Sequence, residues 1–292
     1  METMNLSRAK TILIFAFLGL NLFLCFYLFG NALSEPLRMR VSRKQWREIE
    51  EQLERNGYTL AAQVDRSARK SAFLTVSPSK APEKAIRERF ALSPTPLTDS
   101  AGALLFEGRQ AKLKVFPGGL LRLEFAPGIA LMEETAADEE AAPAPFVENF
   151  LREKGLAPDE FYYDHATTID GKTVLHYLQS CEGAPLFSGY LKAIMENNTL
   201  TALELSLLEP KKPLQGQGME VISSARALLR LIEIRGASSP PRQIVKADLG
   251  FYSRSYDADE WEMPPVWRFL FDSGESIFIN AFTGNLEPET SN

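Results

Sequence analysis

The chain has 292 residues, 45% of them hydrophobic and 24% charged, a composition that supports buried cores and excludes extended disorder. Its net charge of −6 gives no basic excess of the kind that neutralises nucleic-acid phosphates, so nucleic-acid binding is not expected. The two cysteines, Cys25 and Cys181, make no metal cluster or redox pair.

Residues 1–10 form a short head in which Arg8 and Lys10 stand beside one acid, Glu2. From Ile12 to Phe29 the chain is apolar except for Asn21, and nothing comparable recurs. A helix of about 18 to 20 residues spans the roughly 30 Å hydrocarbon layer, so residues 11–30 are expected as a single transmembrane helix. Arg8 and Lys10 favour a cytoplasmic head. Arg38, Arg40, Arg43, Lys44 and Arg47 on the other flank count against it, but long following domains translocate largely regardless of charge. The body is therefore placed outside the cell. A cleaved signal peptide ending near Gly30-Asn31-Ala32 is the alternative, disfavoured because the run exceeds the usual h-region of about 7 to 15 residues.

Asn21 is the polar residue of this run. Its carboxamide needs a partner in hydrocarbon, and a cross-helix hydrogen bond of this kind contributes about 0.6 to 2 kcal/mol. Sharing its face with Phe17, Leu18 and Cys25, it marks an expected contact with another membrane helix. Local bonding to its own backbone is the plain alternative.

Residues 31–130 read as a first α+β domain. Trp46, Ile49 and Leu53 share one face of a helix over Ser42–Asn56, which Gly57 closes. Leu74 and Val76 belong to a short strand, and Pro82–Phe90 to a helix with proline in its first turn. Three antiparallel strands follow at Leu104–Glu107, Lys112–Phe116 and Leu120–Ala126, the last two alternating between one buried and one wet face. Residues 131–144 are acidic and read as a solvated linker, because the acids lack the spacing and central glycine of a calcium loop.

Residues 145–292 read as a second α+β domain that repeats one plan twice, a helix and then a meander of antiparallel strands. The first copy has its helix at Pro145–Lys154 and strands at Thr173–Ser180, Pro185–Glu196 and Leu200–Leu208. The second has its helix at Met219–Ile234, with Ile222, Ala225, Leu229 and Ile232 as the buried stripe. Its strands are Gln243–Tyr256, Val266–Phe271 and Ser276–Ala281. Trp267 and Phe269 alternate as core residues, and Asn280 and Gly284 shape a turn.

Catalytic signals are absent. No Gly-x-Ser-x-Gly elbow, phosphate-cradling glycine loop, HExxH pair or CxxC occurs. The histidines, His165 and His176, are expected to be structural or surface residues; Asp164 precedes His165, but neighbours in an extended chain point to opposite faces. Tyr252, Tyr256 and Trp261, with Asp257, Asp259 and Glu260, form a loop that would suit protein contact if exposed, although a plain surface loop is the simpler reading.

Leu6-Ser7-Arg8-Ala9-Lys10-Thr11-Ile12-Leu13-Ile14, running into Phe17-Leu18-Gly19-Leu20-Asn21-Leu22-Phe23-Leu24, resembles the start of the YycI (WalI) family. Gly183-Ala184-Pro185-Leu186-Phe187, Asn197-Asn198-Thr199-Leu200, Pro265-Val266-Trp267-Arg268-Phe269 and Ile279-Asn280-Ala281-Phe282-Thr283-Gly284 resemble segments of its C-terminal half. The first half matches only in plan, and Met4-Asn5 stands where an Asp-Trp pair is usual. The resemblance implies a single-pass cell-membrane protein without catalytic residues, cofactor, metal or small-molecule substrate. It would regulate the sensor histidine kinase of the WalK/WalR (YycG/YycF) two-component system, which controls cell-wall metabolism, beside a YycH-like partner, through its membrane helix and outer domain. A PepSY-like module that binds or inhibits a peptidase is the alternative, and an extracytoplasmic hydrolase built from scattered carboxylates a more distant one.

Overall fold

The computed structural model describes Phe17, Leu20 and residues 42–65, 69–130, 143–156, 161–211, 218–254 and 258–288. Of the expected membrane crossing, Phe17 and Leu20 are described, both helical and exposed; Leu18, Asn21, Cys25 and the acidic linker lie outside the described residues. No helix among the described residues is long and apolar enough to cross a membrane.

Beyond Phe17 and Leu20, four helices and seventeen strands among the described residues make a mixed α+β fold. In chain order they are α1 (Arg43–Arg55), β1 (Tyr58–Leu60), β2 (Lys70–Ser71), β3 (Leu74–Pro78), α2 (Ala81–Arg89), β4 (Leu97–Thr98), β5 (Leu104–Glu107), β6 (Ala111–Val115) and β7 (Leu121–Ala130). There follow α3 (Ala144–Glu153), β8 (Phe161–Ile169), β9 (Lys172–Cys181), β10 (Ala184–Glu196), β11 (Thr199–Ser206), β12 (Leu208–Pro210) and β13 (Met219–Glu220). The last are α4 (Ser224–Arg235), β14 (Arg242–Phe251), β15 (Trp261–Met263), β16 (Pro265–Phe271) and β17 (Ser276–Asn280).

Local chemistry explains the element ends. Ser42 and Gln45 form a capping box: the Ser42 hydroxyl accepts from the Gln45 amide at 3.3 Å, and the Gln45 side chain accepts from the Ser42 amide at 3.0 Å. Gly57 follows with φ +77°, and a Cβ there would meet the Ser238 carbonyl at 2.3 Å, so only glycine fits. The expected helix at Met219 starts later. Ser223 caps it, while Met219 and Glu220 pair with Ser71 and Lys70. Its stripe is also rotated: Ala225, Ala227, Leu228 and Leu231 are buried and Leu229 and Ile232 only partly so. The helix packs against α1 as well as the sheet, and that second neighbour sets which face is covered.

Twelve strands form one continuous sheet with the path β17-β16-β14-β10-β11-β7-β6-β5-β4, to which β1, β8 and β9 attach. Its two largest cores are these. The first joins α2, α3 and strands β5–β7 with β9–β11, through Ile86, Val147, Phe150, Leu123, Leu191 and Leu203. The second joins α1 and α4 with β14, β16 and β17, through Trp46, Leu53, Leu228, Ile244, Trp267 and Phe269. Residues 42–64 thus share a core with residues 221–281, and β7 pairs with β11, so strands before and after the segment expected as a linker belong to one sheet.

β10 carries the sheet from one half to the other. Leu186 at its start pairs in parallel with Phe251 of β14; after a register shift, Tyr190 to Glu196 pair with β11. In the shifted stretch a Cβ on Gly189 would stand 2.4 Å from Gln179 Oε1. The buried Gln179 side chain satisfies both backbone groups of Leu208, at 2.7 and 3.1 Å.

Candidate functional site

The two halves enclose a cleft of about 540 Å³, lined by Phe187, Tyr190, His176, Lys192, Tyr252 and Arg268 among others. Alternation builds its walls. In β9, Leu175 and Tyr177 enter the first core, so His176 and Leu178 face the cleft; in β10, Leu191 and Ala193 enter the core, so Tyr190 and Lys192 face it. In β16, Trp267 and Phe269 enter the second core and Arg268 turns the other way.

Arg268 closes the cleft against β8. Its Nη1 and Nη2 donate to Asp164 Oδ2 and Oδ1 at 2.6 and 2.9 Å, a bidentate pair, and Nη2 also donates to Asp248 Oδ2 at 2.6 Å. Lys246 Nζ donates to the Asp164 carboxylate at 2.8 Å and to its backbone carbonyl at 2.6 Å. The side chains of Asp164 and Arg268 are 1% and 3% exposed, and the guanidinium sits 4.6 Å over the Phe187 ring. Two acids and two cations balance within the cluster. Burial alone would raise the Asp164 pKa, but the hydrogen bonds from His165, Arg268 and Lys246 hold it well below the usual carboxylate range. Burial disfavours the charged Arg268, and Asp164 and Asp248 outweigh it, so its pKa rises and it stays protonated.

The Asp164–His165 pair corrects the expectation that these neighbours diverge. Tyr163 pairs with Tyr177 and His165 with His176, and the register shift between them leaves Asp164 as an extra residue of a β-bulge. Both side chains therefore meet, with Asp164 Oδ2 and His165 Nδ1 2.8 Å apart. The imidazoles of His165 and His176 stack at 4.2 Å and 7°. Burial, followed by the neighbouring His165 and Lys192, lowers the His176 pKa to about 3. With Asp164 and Asp248 both held by cations, the cluster clasps two halves of a protein together; it is not an acid–base pair poised for chemistry. Among the described residues no group of three or more His, Cys, Asp or Glu is arranged to hold a metal ion.

The aromatic loop differs from expectation. Tyr252 and Trp261 are 5% and 9% exposed. The Tyr252 hydroxyl donates to the Pro288 carbonyl at 3.1 Å while its ring stacks on Phe278 at 4.0 Å, and Trp261 Nε1 donates to Ser253 Oγ at 2.8 Å. These two rings fill packed sites because β15 leaves the loop to pair with β3, so they form neither a plain surface loop nor the exposed patch that protein contact would need. Tyr256 lies outside the described residues. Asn280 does shape its turn, accepting from the amides of Phe282 and Thr283.

Sequence reasoning missed the Asp164–Arg268 clasp. Its one signal was a cation inside Pro265-Val266-Trp267-Arg268-Phe269-Leu270-Phe271, since a charge in so apolar a strand requires a buried partner.

The fold is similar to that of a solved uncharacterized protein from Eubacterium rectale, at 10% identity with a TM-score of 0.50, over 80% of this chain and 91% of that one. The C-terminal domain of YpeB from Bacillus megaterium aligns at 12% identity with a TM-score of 0.40, over 73% of this chain and 96% of that one. No curated protein matches the sequence. The family described as YycI protein matches residues 38–282, which takes in both cores and the clasp. The chain therefore belongs to the YycI family, whose members are non-catalytic regulators of the WalK (YycG) two-component system.

Proposed function

We propose that this protein is a single-pass, membrane-anchored regulator with its head in the cytoplasm and its body outside. It acts on a WalK-like sensor histidine kinase, together with a YycH-like partner, through its membrane helix and outer surface. The observation that carries this reading is the family match over 38–282 placed directly behind the apolar run Ile12–Phe29. Contacts that favour one signalling state of the kinase shift its population by their difference in affinity, and about 1.4 kcal/mol suffices for a tenfold change. Asn21, with Phe17, Leu18 and Cys25 on its face, is the proposed membrane-helix contact.

Deletion of Met1–Gly30 tests the anchor: kinase output should lose its dependence on the protein, and regulation that survives in the truncated chain contradicts the reading. Pull-down of the full chain from membrane extract should recover a histidine kinase. Recovery of a peptidase without a kinase would favour the PepSY-like alternative.

A further inference from the structure

We propose that the end of the molecule at which α1 begins is a membrane-contact face that rests against anionic lipid headgroups; this deepens the anchored reading above and rests on it. Helices α1 and α4 run side by side in the same direction. At their C-terminal ends the Ser238 amide donates to the Asn56 carbonyl at 2.8 Å and the Tyr58 hydroxyl to the Gly236 carbonyl at 3.1 Å. With 13 and 12 residues, at about 1.5 Å rise each, they also begin at a common end. There the Ser224 hydroxyl donates to the Asp65 carbonyl, the Val221 amide to that of Arg69 and the Ile222 amide to that of Ala281. Asp65, residues 69–73, 219–222 and 281–282 therefore lie around the start of α4, at the end where α1 also begins.

This end displays apolar side chains without cover. Phe73 is 42% and Met219 51% exposed, and the Phe73 ring stands 5.2 Å from that of Phe282. Aromatic and long apolar side chains beside cations suit the headgroup layer. Arg43, Arg47 and Lys70 are exposed on the same end, and none has an ion-pair partner among the described residues. The first turn of α1 contains no acid, although acids suit a helix start, so these cations do not serve the helix. They do complement phosphates, whose attraction for basic residues beside a membrane is local and screened by salt.

The tether selects the occupant. Eleven residues, 31–41, separate Gly30 from Ser42, and such a length reaches at most about 40 Å. Arg38 and Arg40 within it carry the same sign. A chain fixed in the bilayer at Gly30 thus holds this end, and no other helix start so directly, near the headgroups.

The test uses the full chain with Cys25→Ala and Cys181→Ala, reconstituted in vesicles of phosphatidylcholine and phosphatidylglycerol at three to one. A fluorophore is attached at Met219→Cys or, as the control, at Ser273→Cys in the turn at the opposite end of the β16–β17 hairpin. Quenching by a headgroup nitroxide lipid should be at least threefold stronger at position 219 than at 273. It should fall at least twofold with Lys70→Glu and Arg47→Glu together, or when phosphatidylglycerol is omitted. Equal quenching at both positions in vesicles that carry the protein overturns this face while leaving the anchor intact. Failure of the full chain to float with the vesicles overturns the anchored reading and this inference with it.

Discussion

Arg268 and His176 show how single residues are set by neighbours distant in sequence. Arg268 is an outward residue by period, yet both faces of β16 are buried, and Asp164 from β8 supplies the carboxylate it needs. His176 is neutral in the fold down to a pH of about 3, whereas an unfolded chain protonates it below about 6.5. Between those values the unfolded state binds more protons, so stability falls as pH drops through that window. The lowered Asp164 pKa acts in the same direction below the ordinary carboxylate range. Urea unfolding at pH 7, 5.5 and 4.5 should give steadily lower midpoints, and His176→Gln should flatten the decline between pH 6.5 and 4.5. An unchanged slope in that variant would assign the acid sensitivity elsewhere.

At the level of elements, the periodic segments were legible. Trp46, Ile49 and Leu53 are the buried residues of α1, and Leu121, Leu123 and Phe125 line the buried face of β7, as their spacing dictates. The elements missed were the short strands β1, β2, β4, β12, β13 and β15 and the longer β8, each given meaning by its partner: β8 pairs with β9 and β15 with β3. Helix starts can be read only where the cap is unambiguous. Ser42 with Gln45 fixes α1, and Ser42→Ala should lower stability by about 1 kcal/mol, seen as a reduced denaturation midpoint with an unchanged slope. Replacement by aspartate should retain most of the stability, since its carboxylate can accept the same hydrogen bond.

Across the whole molecule, one clasp joins the halves that β10 connects. Breaking a buried ion pair leaves its partner charged and desolvated, a loss of about 3–5 kcal/mol. Asp164→Ala should therefore destabilise the protein by that order in equilibrium unfolding. Joint replacement by apolar residues, Asp164→Leu with Arg268→Met, should cost less than the single change, because it leaves no orphaned guanidinium. A double variant as unstable as the sum of both singles would show that the clasp is not a coupled unit. Since the clasp holds β8 to β14 and β16, the single variant should also raise hydrogen exchange in β8 and β9 before the helices respond.

Short segments gave the family, and the sequence by itself determined local choices: the buried face of α1, the strand alternation of β6 and β7 and the turn from Asn280 to Gly284. These follow from periodicities of 3.6 and 2 and from backbone chemistry, which act over a few residues. Only the tertiary structure decided that α1 joins the core of the last strands, that β10 bridges both halves and that a bulge aims Asp164 at Arg268. Those outcomes depend on which distant segments pair, and an apolar face or a lone buried charge dictates that a partner must exist without dictating which one.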